Sequence, residues 1–129
     1  LIDKLTKLLN PAMRFLFPEL KKTSKANKEM SMNIIANILG LGNAATPLGI
    51  RAMNELQKEN DDKNILSNTM IMFIVLNTAS LQLIPTTVIA IRTSLGSERP
   101  SAVIVPIWIA TIVAAVTAVV VTKNLIKKF

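Results

Sequence analysis

Met30-Ser31-Met32-Asn33-Ile34-Ile35-Ala36-Asn37-Ile38-Leu39-Gly40-Leu41-Gly42-Asn43-Ala44-Ala45-Thr46-Pro47-Leu48-Gly49-Ile50 is the stretch on which the fold turns. No charged residue lies between Glu29 and Arg51, so by length and composition the run could be a bilayer-spanning helix. Its interior argues otherwise. Gly40-Leu41-Gly42-Asn43 followed by Thr46-Pro47 is a turn signal in the middle of an apolar stretch. A helix from Met30 to Leu41 would rise about 18 Å, only partway into a hydrocarbon core of about 30 Å. A second helix is expected to run back from about Thr46, with Pro47 in its first turn, through Arg51 to Glu59. Segment 30–60 therefore reads as a re-entrant hairpin with an unwound tip at Gly42–Thr46. Such a tip is allowed in a membrane only where it is buried in protein or lines a wet cavity.

The basic residues decide between a hairpin and a simple span. With a re-entrant hairpin, thirteen of the fifteen Lys and Arg residues fall on one side of the membrane, leaving Arg92 and Arg99 on the other. A span would split them nine to six. The positive-inside rule favours the first division and makes the basic side cytoplasmic, so the hairpin ends and the C-terminus are expected there.

Working outward, 64–91 is long enough to cross a bilayer but is interrupted by Asn77, Thr78, Ser80, Gln82 and Pro85. Pro85 removes a helical hydrogen bond and crowds the carbonyl of Leu81, so this helix should be broken there. Thr86 and Thr87 are placed to satisfy the freed backbone. Arg92–Pro100 reads as a short outside loop. Segment 101–122 is the plainest transmembrane helix, rich in Val, Ile and Ala, and anchored by Lys123, Lys127 and Lys128. On the other flank, 1–20 reads as an amphipathic helix at the lipid headgroups. Leu1, Leu5, Leu8, Leu9, Ala12 and Leu16 share one face; Asp3, Lys4, Lys7, Asn10 and Arg14 share the other, and Pro11 starts a new turn or kinks the helix. Asp61 and Asp62 are expected to turn the chain into the next helix and to cap it.

The fold class is therefore all-α, a helical membrane protein of one domain over 1–129. Half of the 129 residues are hydrophobic and 18% are charged, below the quarter usual in soluble domains. The net charge of +7 is explained by topology, and with one Trp and no Tyr it does not point to nucleic acid. Without Cys or His, disulfides, thiol nucleophiles, the usual zinc sites and the commonest general base are excluded. Glu55 and Glu59, one helical turn apart, read as a solvated face near Arg51 and Lys58. No nucleophile motif, phosphate loop or metal spacing is found, and neither an enzyme nor a cofactor is expected. The chain opens on Leu1, so residues upstream are expected in the full protein.

The informative side chains are the polar ones inside apolar segments, because an unpaired polar group there costs about 2–7 kcal/mol. One cluster, Asn37, Asn43 and Thr46, surrounds the hairpin tip. The other, Asn77, Thr78, Ser80 and Gln82, precedes the proline break. Two readings remain open: the clusters face each other and bind a polar solute, as at the broken helices of transporters, or they tie helices together, with Gly allowing close packing. Gly40, Gly42, Pro47 and Pro85 are the expected structural positions of the tip and the break. Asn33, one turn before Asn37, reads as a tie between helices.

Asn33–Gln57, together with Leu76–Ala90 (Leu-Asn-Thr-Ala-Ser-Leu-Gln-Leu-Ile-Pro-Thr-Thr-Val-Ile-Ala) and Phe15–Leu20 (Phe-Leu-Phe-Pro-Glu-Leu), resembles the family of bacterial spore maturation proteins. That family is placed in the nucleoside-recognition, or gate, domain group related to concentrative nucleoside transporters. The resemblance implies a hairpin followed by a broken helix and a role in spore core dehydration at the bacterial plasma membrane. It also implies assembly with a sister membrane protein, spore maturation protein B, a homo-oligomer being the alternative. Nucleoside-carrying relatives place a carboxylate near the tip, whereas Asn43-Ala44-Ala45-Thr46-Pro47 holds none.

Overall fold

The computed structural model describes residues 2–128, with side chains from Leu8 onward. It is helical throughout, with no strand among the described residues. The order is α1 (Ile2–Leu16), α2 (Lys25–Ile38), α3 (Gly42–Glu59), α4 (Asn68–Ala79), α5 (Thr86–Ser94), a 3-10 turn (Pro100–Val103) and α6 (Ile104–Ile126).

Capping chemistry sets several of these boundaries. Ser24 accepts from the Asn27 amide at 3.1 Å and opens α2, five residues before the apolar run begins. Ser67 accepts from the Met70 amide at 3.3 Å and opens α4. The expected acidic cap is thus replaced: Asp62 shapes the preceding turn by accepting from the Asn64 amide at 2.9 Å. Lys63 closes α3 from outside, its ammonium donating to the carbonyls of Gln57 and Lys58 at 2.7 and 3.2 Å.

The two arms of the hairpin, α2 and α3, form the most extensive helix pair. Its turn is tighter than the sequence suggests. The amide of Leu41 donates to Ala36 at 2.8 Å and that of Gly40 to Asn37 at 2.9 Å, with Gly40 at φ 71°. These are the paired bonds of a Schellman motif, and they reverse the chain within Leu39–Leu41. Gly42–Thr46, expected to be unwound, is instead the first part of α3. Ala44 and Ala45 donate to the Leu41 carbonyl, each at 2.9 Å. Pro47 lies inside the helix, where its missing N–H frees only the carbonyl of Asn43. Across the outer part of the hairpin Arg51 meets Glu29 at 3.1 Å. Lys58 meets Glu55 at 2.6 Å, and its hydrogen bond holds the Glu55 carboxyl below the usual range.

The long uncharged segment 64–91 is broken more widely than one proline requires. α4 ends at Ala79, Ser80 takes the left-handed conformation (φ 49°, ψ 52°), and regular helix resumes only at Thr86. Pro85 is buried at the N-cap of α5 and does not kink a continuous helix. With 12 and 9 residues, α4 and α5 are about 18 and 13 Å long, so neither crosses a bilayer alone. α6, with 23 residues and about 35 Å, begins three residues later and ends four residues later than the expected 101–122, the 3-10 turn taking its start, and is long and apolar enough to cross. No residue of its most apolar 18-residue window is buried. The architecture is that of an all-α membrane protein.

The core lies where α1, the outer hairpin, α4 and the end of α6 meet. Met13, Phe17, Ala26, Met30, Ala52, Leu56, Met70, Met72 and Phe73 form one buried cluster there. α1 passes through Pro11 without ending and sends Met13 and Phe17 into this cluster. Its packed stripe is therefore Leu9, Met13, Leu16 and Phe17, spaced as one helix face, while Leu8 and Ala12 of the expected apolar face are exposed. The expected placements of Leu1, Leu5, Asp3, Lys4 and Lys7 concern side chains outside the described ones.

Candidate functional site

The site begins with the close fit of α2 on α3. Gly49 leaves space that Asn33 fills: a Cβ at Gly49 would stand 3.1 Å from Asn33 Nδ2. From that position the Asn33 amide, 2% exposed, donates to the Ala45 carbonyl at 2.8 Å. Asn33 is the helix tie its spacing suggests. One turn on, Asn37 Nδ2 donates to Asn33 Oδ1 at 3.4 Å and, across to α4, to Asn77 Oδ1 at 2.8 Å. Asn77 Nδ2 in turn donates to the Phe73 carbonyl at 2.9 Å. Three asparagines thus form a row that links α2, α3 and α4.

The hairpin tip and the helix break meet directly. Leu83 donates its amide to the Ile38 carbonyl at 2.8 Å, and Thr86 Oγ1 donates to the Gly40 carbonyl at 2.9 Å. Thr86 was expected to serve its own broken helix; it serves the hairpin instead. On the other side the Trp108 indole donates to the Leu83 carbonyl at 2.7 Å. A Cβ on Gly40 would overlap the Ile84 carbonyl oxygen, so only glycine admits this approach. The Ile38 and Gly40 carbonyls of the turn and both backbone groups of Leu83 in the break are thus satisfied between the hairpin, the break and α6, as buried backbone must be in a medium without water.

Between the hairpin and α4 lies an open cleft of about 660 Å³. Asn37, Thr46, Asn77, Thr78, Ser80 and Gln82 all line it, so six of the seven candidate residues border one space. Asn43 does not: it sits exposed in the first turn of α3, away from the cleft. The two polar clusters meet through Asn37 and Asn77. Several hydroxyls are occupied locally. Thr78 donates to Ile74 at 2.9 Å, Ser80 to Asn77 at 3.1 Å, and Thr46 makes a long 3.4 Å bond to Gly42. No carboxylate lines the cleft among the described residues.

Over 123 residues the chain is 37% identical to spore maturation protein A of Bacillus subtilis (strain 168). The chain is similar to that spore maturation protein. The similarity covers 95% of the chain and 63% of the relative, so the chain spans somewhat under two thirds of that protein's length. No family model matches the chain, and no solved structure matches it.

Sequence reasoning missed several contributors to the site. Met53, Asn54 and Phe73 line the cleft from α3 and α4. The tie from Trp108 was also missed, although a signal existed: a lone Trp in an apolar span needs a partner for its indole N–H. The apposition of Gly40 and Ile84 has no sequence signal beyond the glycine itself.

Proposed function

We propose that this chain is a gate-like subunit of the bacterial plasma membrane that acts in spore maturation and binds or passes a small polar solute at the cleft. The observation that carries the reading is the row Asn33–Asn37–Asn77 on a cleft of about 660 Å³ between apolar helices. Amides there cost free energy unless they are paired, and a cleft with a few convergent polar groups is the usual form of a small-molecule site. Asn37 Oδ1 and the Gln82 amide have no protein hydrogen bond among the described residues and border the same space. With amides and no carboxylate, the cleft suits a neutral solute carrying hydroxyl or N–H groups better than a cation. Resemblance to nucleoside-recognition domains supports a solute of nucleoside size, and the name of the Bacillus subtilis relative supports the role in spore maturation. The division of basic residues supports a re-entrant hairpin with its ends and the C-terminus in the cytoplasm. The role involves no bond-making step, so the chain is read as a non-enzyme, assembled with spore maturation protein B or a second copy.

One observation favours a second reading, a membrane scaffold without transport. The Asn33 and Asn77 amides are engaged by the Ala45 and Phe73 carbonyls, which joins helices without any solute. Thermal-shift titration of the intact protein, co-purified with the sister protein, against uridine, adenosine, glycerol and alanine separates the two. On the transport reading one class raises the midpoint, and Asn37→Ala removes that rise. No shift with any probe, or a shift that Asn37→Ala leaves intact, would establish the scaffold. Topology is tested separately with Lys25→Cys and Asp61→Cys: labelling from opposite sides of the membrane would remove the re-entrant hairpin.

A further inference from the structure

A second, smaller cavity of about 210 Å³ lies where the end of α1, the start of α4 and the end of α6 converge. Leu16, Met72 and Ile126 give it apolar walls, and Lys123 and Lys127 stand on its rim. It is smaller than the ~300–1,000 Å³ typical of drug-sized ligands, and it sits at the basic end of α6, the one helix long and apolar enough to span among the described residues. Lys123 is held in place: its ammonium donates to the Phe15 carbonyl at 2.8 Å and lies 3.3 Å from the centroid of the Phe15 ring. Lys127 is exposed and pairs with no carboxylate among the described residues. Glu19, also on the rim, is in ion-pair contact with neither lysine, so two cations face one carboxylate across an apolar groove.

We infer that this groove is a binding site for an anionic phospholipid, with the phosphate between Lys123 and Lys127 and part of one acyl chain along Leu16, Met72 and Ile126. Charge complementarity selects this occupant. A purely apolar partner would leave both ammonium groups without a counter-charge, Lys123 having only the neutral Phe15 carbonyl and ring, while a soluble anion would leave the apolar walls bare. Basic pockets between helices on the cytoplasmic side of a membrane bind anionic headgroups on this principle. The inference rests on the membrane reading of α6 and not on any solute in the cleft.

Native mass spectrometry of the intact protein, released from detergent and titrated with dioleoylphosphatidylglycerol or dioleoylphosphatidylcholine, tests it. One phosphatidylglycerol per chain should be retained, with phosphatidylcholine lost at the same activation energy. Lys127→Gln should weaken retention about fivefold, and adding Lys123→Gln should weaken it by about the same factor again. Ile126→Trp should block the groove without changing its charge, Lys58→Gln should change nothing, and Lys123→Arg with Lys127→Arg should keep binding. Equal retention of both lipids, or unchanged binding in the double Gln variant with its melting intact, overturns the site. So does a lipid-free dimer, which would mean that a second copy fills the groove. Alkaline extraction of membranes separates the causes of failure: a chain that is washed out refutes the membrane reading, whereas a chain that stays but does not select phosphatidylglycerol refutes only this site.

Discussion

The tip of the hairpin and the helix that leaves it lie two residues apart and have opposite surroundings. At Gly40 the backbone is in the left-handed region, its carbonyl is taken by Thr86, and the Ile84 backbone occupies the place of a side chain. At Gly42 the backbone is helical, and nothing lies within 4 Å of where a Cβ would stand. The same residue type therefore answers two different needs. One glycine closes the chain on itself, and the other leaves a smooth surface open. A membrane-buried turn demands neighbours for its backbone. Here that demand is met inside the chain, by the broken helix, and it does not by itself require a second protein.

The sharpest way to break the comparison is Gly40→Ala. The substitution sets a Cβ against the Ile84 carbonyl and adds about 1–2 kcal/mol of left-handed strain. A total loss above about 3 kcal/mol is expected once the Thr86 and Leu83 bonds are released. Thermal or denaturant unfolding of the intact protein in mild detergent, followed by Trp108 fluorescence, measures it. A change below about 1 kcal/mol would mean that the tip is not docked on the break. The Asn37–Asn77 bond comes next. A cycle of Asn37→Ala, Asn77→Ala and the double variant should give a coupling of about 0.6–1.7 kcal/mol, the range of hydrogen bonds between membrane helices. Additive effects would show that the two clusters are satisfied separately.

A milder probe lies on the inner face of α3. Gly49→Ala brings a Cβ to 3.1 Å from Asn33 Nδ2, the movable end of a side chain that is itself tied to Ala45. The Asn33 bond should lengthen at a cost of about 0.5–1.5 kcal/mol, offset in part by the higher helix propensity of Ala. Unfolding measurements on Gly49→Ala alone and combined with Asn33→Ala would show it: the penalty should vanish once the asparagine is gone.

The sequence allowed the order of hairpin, broken helix and apolar span to be read because each is marked locally by charge-free runs and by glycine and proline. Local signals did not say how lost hydrogen bonds would be replaced. Pro47 and Pro85 look alike in sequence, yet α3 runs through the first and the chain is irregular for several residues before the second. The difference is tertiary. Segment 80–85 is held open because Ile38 and Trp108 take both backbone groups of Leu83, whereas no such partner reaches α3 at Pro47. Starting α3 four residues too late also misplaced Asn43, which sits in the first turn of the helix and away from the cleft. Asn37 and Asn77 were legible as polar residues in apolar helices, but their mutual bond depends on helix packing, which periodicity does not fix.

The smallest effect on the chain itself, and the one that sharpens the contrast most, is expected at Gly42. With nothing within 4 Å, Gly42→Ala or Gly42→Leu should change the stability of the isolated chain by less than about 0.5 kcal/mol, or raise it slightly. Gly42 and Thr46, one turn apart on α3, are nevertheless both exposed on one face of the helix. Small residues at such positions let a neighbouring helix approach closely, and in lipid that packing is the main source of association. If spore maturation protein B or a second copy docks here, Gly42→Leu should abolish the complex in mild detergent while the unfolding midpoint of the separate chain stays put. Gly40→Ala should do the reverse, unfolding the chain whether or not a partner is present. Size-exclusion chromatography with light scattering on the parent and the two variants reads both outcomes. A complex that survives Gly42→Leu would place the partner elsewhere and leave the open surface of α3 to lipid.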